Sequence, residues 1–214
     1  MKVEYFGHSC FRIETESGVK ILTDPYTKVG YELPKGLNAD IVCVSHGHFD
    51  HNYVQAVQGN PQIVDAEGEY EIQGVKIEGI ATWHDPKQGA LRGKNIIFKI
   101  QVDGVTFCHF GDLGEEYSDK FEKILKNTDV WMIPIGGTYT IDAEQAKTYI
   151  EKCSPKAVIP MHYLPSDGTL DIAPAEVFLE MMKDYPIATY PLGEMQLNQE
   201  NLSDNMEIFY MERK

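Results

Sequence analysis

An α/β (α+β) sandwich, with mixed sheets covered by helices, is the fold class this sequence predicts. Three observations carry it. The first part of the chain is a meander of short alternating or apolar runs, and after Asp112 buried strand-like runs alternate with helical segments. No low-complexity stretch or linker divides the chain, so residues 1–214 read as one domain. At 214 residues with a 43% hydrophobic share, the chain can bury a sizeable core.

Residues 2–6, 10–15 and 19–23 read as strands, with a turn at Ser17-Gly18. Residues 25–39 hold two prolines and two glycines and form a long loop. The β-rich run IVCVS follows and ends at His46. Further strands cover 62–65, 69–73, 75–83, 95–102 and 104–110, punctuated by Gly68, Gly74 and Gly104. Residues 117–127 place Phe121, Ile124 and Leu125 on one helical face. VWMIPI (130–135) is a buried strand. Asp142 caps a helix that runs to about Cys153, and Gln145, three residues on, completes a capping box. KAVIPMHY (156–163) is another buried strand, 173–185 a helix, and 205–213 a closing strand. Between the last two the pattern assigns no element. IVCVSH and KAVIPMH, one in each half, both end in histidine, as loosely duplicated halves would.

Charge narrows the function. Lys and Arg total 19 against 33 Asp and Glu, a formal charge of −14, and no basic stripe or arm breaks it. A nucleic-acid partner and an anionic membrane surface both lose their electrostatic attraction. The start, MKVEYFGHSCFRIE, is charged and strand-like, unlike a secretory signal, and no run of 18 apolar residues is present. The four cysteines are far apart, and three lie in apolar runs, so buried free thiols and a reducing cytoplasm are expected. A small-molecule partner fits this profile, and a homo-oligomer is compatible with it.

Segment 45–51 carries the chemistry: Ser-His-Gly-His-Phe-Asp-His. Three histidines in six residues, where the chain averages one in about thirty, are more than a polar turn needs. Imidazole and carboxylate together suit zinc and its divalent neighbours. Gly47 allows a tight turn, so His46 and His48 converge on one point while Asp50 and His51 face a second. Four ligands in so short a loop rarely satisfy one tetrahedron, which makes two metals the natural reading. His84 and His162 each follow a buried strand, and Asp112 follows one behind Gly111. Strand ends deliver side chains into clefts, so these three are candidate ligands.

HGHFDH resembles the HxHxDH signature of the metallo-β-lactamase superfamily, and His84, Asp112 in GDLG and His162 match its later motifs in order. The segments GHSCFRIE, ILTDP, HDPKQGALRGKN, PIGGTYTIDAEQA and PMHY resemble a small bacterial branch of metal-dependent hydrolases similar to L-ascorbate-6-phosphate lactonase. The resemblance implies a four-layer αββα sandwich, the metallo-β-lactamase fold, with metals at the sheet edge. It implies that His46, His48 and His84 bind one ion, that Asp50, His51 and His162 bind the other, and that Asp112 bridges them. Zinc is the first choice of metal, with manganese or iron as alternatives.

Such a site uses metal-bound hydroxide as nucleophile, with Asp50 orienting it and taking its proton. Around it, His8 and Asp24 are expected beside the ligands, or as buried structural groups. His109 is a rival of His84, read as mid-strand packing. Arg92 and Lys94 are the clustered cations that could hold a phosphate or carboxylate. Tyr139 and Tyr163 could donate to an oxyanion or simply pack. The expected function is hydrolysis of a small anionic metabolite such as a sugar-phosphate lactone. A ribonuclease-Z-like phosphodiesterase or nuclease is the enzymatic rival, and a non-catalytic metal-stabilised binding or sensing module is the other.

Overall fold

A computed structural model describes residues 1–214. Strands β1 (Lys2–Gly7), β2 (Cys10–Glu14), β3 (Lys20–Thr23), β4 (Ile41–Cys43) and β5 (Gln62–Val64) form the first sheet in sequence order. β1 to β3 pair antiparallel, whereas β4 and β5 continue parallel to β3. The second sheet begins with the antiparallel strands β6 (Gly68–Ile72), β7 (Val75–Trp83), β8 (Lys94–Val102) and β9 (Val105–His109). It continues parallel through β10 (Val130–Pro134) and β11 (Ala157–Met161). β12 (Ile187–Tyr190), β13 (Glu194–Gln196) and β14 (Glu207–Met211) complete the set. β14 lies beside β11 and β12 beyond it, while β13 crosses to pair with β1.

Period-two alternation stacks the sheets. Val3, Tyr5, Phe11, Ile13, Ile21, Ile41 and Cys43 face one way, into a core of 47 buried residues shared with the second sheet. Phe6, Cys10, Leu22, Val42 and Val44 face the other way, against Tyr26, Val29, Leu37, Ala39 and Val57. The outer layer over the first sheet is therefore the 25–39 loop with one 3-10 turn (Val54–Ala56), where the αββα scheme places a helix. The loop contributes enough apolar side chains to bury that face without one.

The helices α1 (Lys120–Leu125), α2 (Ala143–Cys153) and α3 (Ala175–Met181) all join strands of the second sheet. On α2, Gln145 N–H donates to Asp142 at 2.9 Å and Asp142 N–H to Gln145 at 3.1 Å, the reciprocal cap expected from the spacing. Tyr149 docks that helix edge-on against Phe110 and Phe121. All four cysteines are free; Cys10, Cys43 and Cys108 are buried and Cys153 is half-buried. No helix is long and apolar enough to cross a membrane.

Two details differ from the sequence pattern. β12 and β13 occupy the stretch left without elements; both are short and rely on pairing with strands distant in sequence. His109 is the last residue of β9 and not mid-strand.

Candidate metal centre

The segments following β4, β7, β9 and β11, together with the β1–β2 turn, meet at one edge of the sandwich. They bring His46, His48, Asp50, His51, His84, Asp112, His162 and His8 together. Asp112 is the hub. Its Oδ2 lies 3.3 Å from His84 Nε2, 3.4 Å from His162 Nε2 and 3.9 Å from His46 Nε2, while Oδ1 lies 3.1 Å from His51 Nε2. Ligand atoms of His46, His48 and His84 form one compact group, and those of His8, Asp50, His51 and His162 form another.

These donors fit divalent ions on two counts. Two ligand atoms on a tetrahedral ion with bonds of about 2.0–2.1 Å are about 3.3 Å apart, close to most of the separations around Asp112. The second is polar satisfaction. Buried side-chain atoms with no hydrogen-bond partner are His46 Nε2, His51 Nε2, His84 Nδ1, His162 Nδ1, both nitrogens of His8, Asp112 Oδ1, and otherwise only Ser9 Oγ. Orphaned buried donors and acceptors are costly, and an ion at the centre would satisfy His46 Nε2, His51 Nε2 and Asp112 Oδ1; in His84 and His162 the nitrogen facing Asp112 is Nε2, not the unpartnered Nδ1.

A surrounding network turns the ligands. Asp24, fully buried after β3, accepts from Ser45 N–H (2.7 Å), Ser45 O–H (2.6 Å) and His51 Nδ1–H (2.8 Å). Because the only Ser45 hydroxyl proton goes to Asp24, Ser45 Oγ must accept the 2.9 Å bond from His46 Nδ1–H. Both rings therefore present Nε2 to the centre. Asn95 holds the hub: its Oδ1 accepts from Asp112 N–H at 2.9 Å, while its amide donates to Thr82 Oγ1 and the Phe110 carbonyl.

Electrostatics follow from this packing. Burial penalises a charge on His51, yet Asp112 and Asp24 on either side hold its imidazole well above the usual range. Burial raises the carboxyl of Asp112, but His162 and His51 outweigh it and leave it well below the usual range. Burial likewise opposes ionisation of Asp50, and the His8 imidazole 3.4 Å away together with His51 outweighs burial and lowers it. Burial lowers His46 and His84, and takes His8 down to about 4. An ion seated at His51 must displace a proton from that ring.

A cleft of about 590 Å³ opens beside His46 and His48. Arg92 and Lys94 line it, as do Asp65 and Glu67. Arg92 also donates to the Thr138 carbonyl at 3.0 Å and lies over the Tyr139 ring at 5.5 Å, tying two rim loops together. Asp85 shapes the first of those loops. Its buried carboxylate accepts backbone N–H bonds from Lys87 (2.8 Å), Gly89 (3.1 Å), Leu91 (3.0 Å) and Arg92 (2.8 Å).

Two expected neighbours lie apart from the chemistry. Tyr163 turns away, its hydroxyl donating to the Met211 carbonyl at 3.1 Å, so it packs and cannot reach an oxyanion at the hub. His109 has both nitrogens satisfied, Nε2 donating to the Ser9 carbonyl at 2.8 Å and Nδ1 accepting from Gly111 N–H, so it offers no free ligand atom. Gly47 does not have the left-handed φ that would require glycine, and a Cβ there meets open space. Ser45, Asp85 and Asn95 were not singled out from the sequence. Ser45 and Asp85 adjoin His46 and His84, and Asp85 precedes a loop whose amides need an acceptor, whereas Asn95 has no neighbouring candidate ligand in sequence.

A profile of the β-lactamase superfamily domain matches residues 2–162. A UPF0173 metal-dependent hydrolase of Carboxydothermus hydrogenoformans is 30% identical over 194 residues, covering 76% of this chain and 84% of that protein. Another, from Pelotomaculum thermopropionicum, is 32% identical over 195 residues with the same coverage. Among solved structures, a Thermotoga maritima protein described as a Zn-dependent hydrolase of the metallo-β-lactamase superfamily is 32% identical, with a TM-score of 0.78 over 99% of both chains. Sheet-edge ligands, fold and sequence likeness agree: the chain belongs to the metallo-β-lactamase superfamily, alongside its UPF0173 metal-dependent hydrolases.

Proposed function

We propose that the chain is a dinuclear hydrolase, zinc-loaded in the first instance, acting on a small anionic metabolite such as a lactone or a phosphate-bearing ester. The observation that carries this reading is the position of Asp112. One carboxylate faces His84, His162 and His46 with one oxygen and His51 with the other, as a bridge between two ions requires. His46, His48 and His84 would hold the first ion, and Asp50, His51 and His162 the second. When bound, such ions would lower the pKa of a coordinated water toward ~7 and polarise a substrate oxygen.

The chain's own residues supply the rest. Asp50, ionised at neutral pH, accepts the proton of the attacking water. Lys94, without a carboxylate partner, and Arg92, held at the rim, bind the substrate's anionic group beside His46 and His48. Asp65 and Glu67 offset those two cations, so preference for an anion depends on the ions as well. The free thiols and net charge of −14 support work in a reducing cytoplasm, away from nucleic acid.

The test is an activity panel on metal-loaded protein, covering sugar-phosphate lactones, phosphodiesters, thioesters and amides. Turnover of an anionic lactone or phosphate ester, abolished by Asp50→Asn, supports the reading. Preferred cleavage of RNA would move the assignment to a nuclease, and no turnover on any substrate would favour a sensing module.

A further inference from the structure

Resting on the dinuclear reading, we propose that His8 is a fourth protein donor to the second ion. That ion is then closed, and the His46/His48/His84 ion is the one that takes the substrate.

The backbone already invests in His8. The β1–β2 turn passes through left-handed conformations at Gly7 (φ 98°) and His8 (φ 55°), the second unfavourable for a residue with a Cβ. It is fixed there because the His8 carbonyl accepts from Tyr5 O–H at 3.0 Å and from His162 N–H at 2.8 Å. His162 is itself at φ 51°. Two strained histidines are thus locked together with their ring centroids 4.2 Å apart.

The side chain then goes where a ligand would. His8 is 1% exposed, and neither ring nitrogen has a hydrogen-bond partner. Its Nε2 lies 3.4 Å from Asp50 Oδ2, about the spacing of two ligands on one ion. Donor atoms of His8, Asp50, His51 and His162 all lie within 4.8 Å of one another. His109 provides the internal contrast: equally buried, it serves packing, and both its nitrogens are bonded. A structural histidine in this protein is satisfied, and His8 is not.

The two ions become unequal. Counting Asp112 for each, the second ion would have five protein donors and the first four, so only the first can add an exogenous oxygen within the five-coordinate expansion that catalytic zinc reaches. The surface agrees, because the cleft opens onto His46 and exposed His48, with neither His8 nor His162 in its lining.

Cobalt(II) titration of metal-free protein, read by calorimetry and visible absorption, tests this. Wild type is expected to bind two ions. His8→Asn, chosen because asparagine tolerates left-handed φ, should weaken one of them at least tenfold and change the absorption of that site. His48→Ala should weaken the other. Thermal melts separate ligation from packing: metal-free His8→Asn should melt with metal-free wild type, losing only part of the metal-induced rise. Two ions bound by His8→Asn with wild-type affinity and spectrum overturn the proposal and leave the dinuclear reading intact. A fall in the metal-free melt equal to the whole loss likewise overturns it, in favour of packing. Fewer than two ions on wild type would instead sink the dinuclear reading itself.

Discussion

The Asp24 carboxylate accepts a 2.8 Å hydrogen bond from Nδ1 of His51, with both side chains fully buried. That bond fixes the ring so that Nε2 faces Asp112 at 3.1 Å, and the same carboxylate reaches His46 through Ser45. One residue thus orients a candidate ligand of each proposed ion. Asp24→Asn should retain the fold while weakening metal binding about 10–100-fold, the usual cost of losing such a partner. Calorimetric titration checks it, and wild-type affinity in the variant would leave Asp24 a purely structural acid.

Gly111 and Gly47 should respond oppositely to alanine. A Cβ on Gly111, at φ 55°, would stand 2.3 Å from Asn95 Oδ1 and 2.6 Å from Ser45 Cβ, disturbing the groups that position Asp112 and His46. Gly111→Ala is expected to lose metal affinity and melt lower, whereas Gly47→Ala should match wild type in both. Metal titrations and thermal melts of the pair decide; equal behaviour would contradict the geometry.

Asp85 makes a prediction that needs no substrate. The amides of Lys87, Gly89, Leu91 and Arg92 all donate to its carboxylate. In Asp85→Ala they should exchange hydrogen at least tenfold faster, while β8 amides such as Phe98 keep their protection. Hydrogen-exchange NMR reads this directly. Unchanged exchange would mean that the loop carrying Arg92 is held by something else.

Glu4 gives the fold an acid-sensitive joint between its two ends. Burial alone would raise its carboxyl, but hydrogen bonds from Lys214, Arg12 and Lys2 outweigh burial and hold it at about 2. Arg12 makes two of these contacts, at 2.8 and 2.5 Å. A depressed carboxyl stabilises the fold above its unfolded value near 4.3, and the contribution fades as pH falls toward 2. Glu4→Gln should therefore cost about 2 kcal/mol at pH 7, allowing for solvent screening of the lysines, and almost nothing near pH 2. Urea unfolding across that range checks the sign.

How much was legible in the sequence depended on how local each cause was. HGHFDH packs four candidate ligands into six residues, and the cap of α2 lies within a single turn, so both could be read directly. Ser45, Asp85 and Asn95 carry no such signal, because a serine or carboxylate acquires its role from the backbone or ring that folding sets beside it. Asn95 reaches Asp112 across 17 residues. Tyr163, open in the sequence between an oxyanion donor and a packing group, is decided the same way: it neighbours His162 in sequence, but its hydroxyl meets Met211, on β14. β12 and β13 depend on partners 21 or more and nearly 200 residues away, and their own four and three residues are too few for a periodic pattern. The loop layer over the first sheet could not be foreseen either, because Val29 and Leu37 show no helical or strand period that would mark them as buried.

The dinuclear reading puts two divalent ions around Asp112. Its most direct measurement is the metal content of purified and zinc-reconstituted protein by elemental analysis, with Asp112→Ala in parallel. Two ions per chain in wild type, falling to one or none in the variant, is the predicted result. Less than one ion per chain in wild type, even after reconstitution, would contradict it.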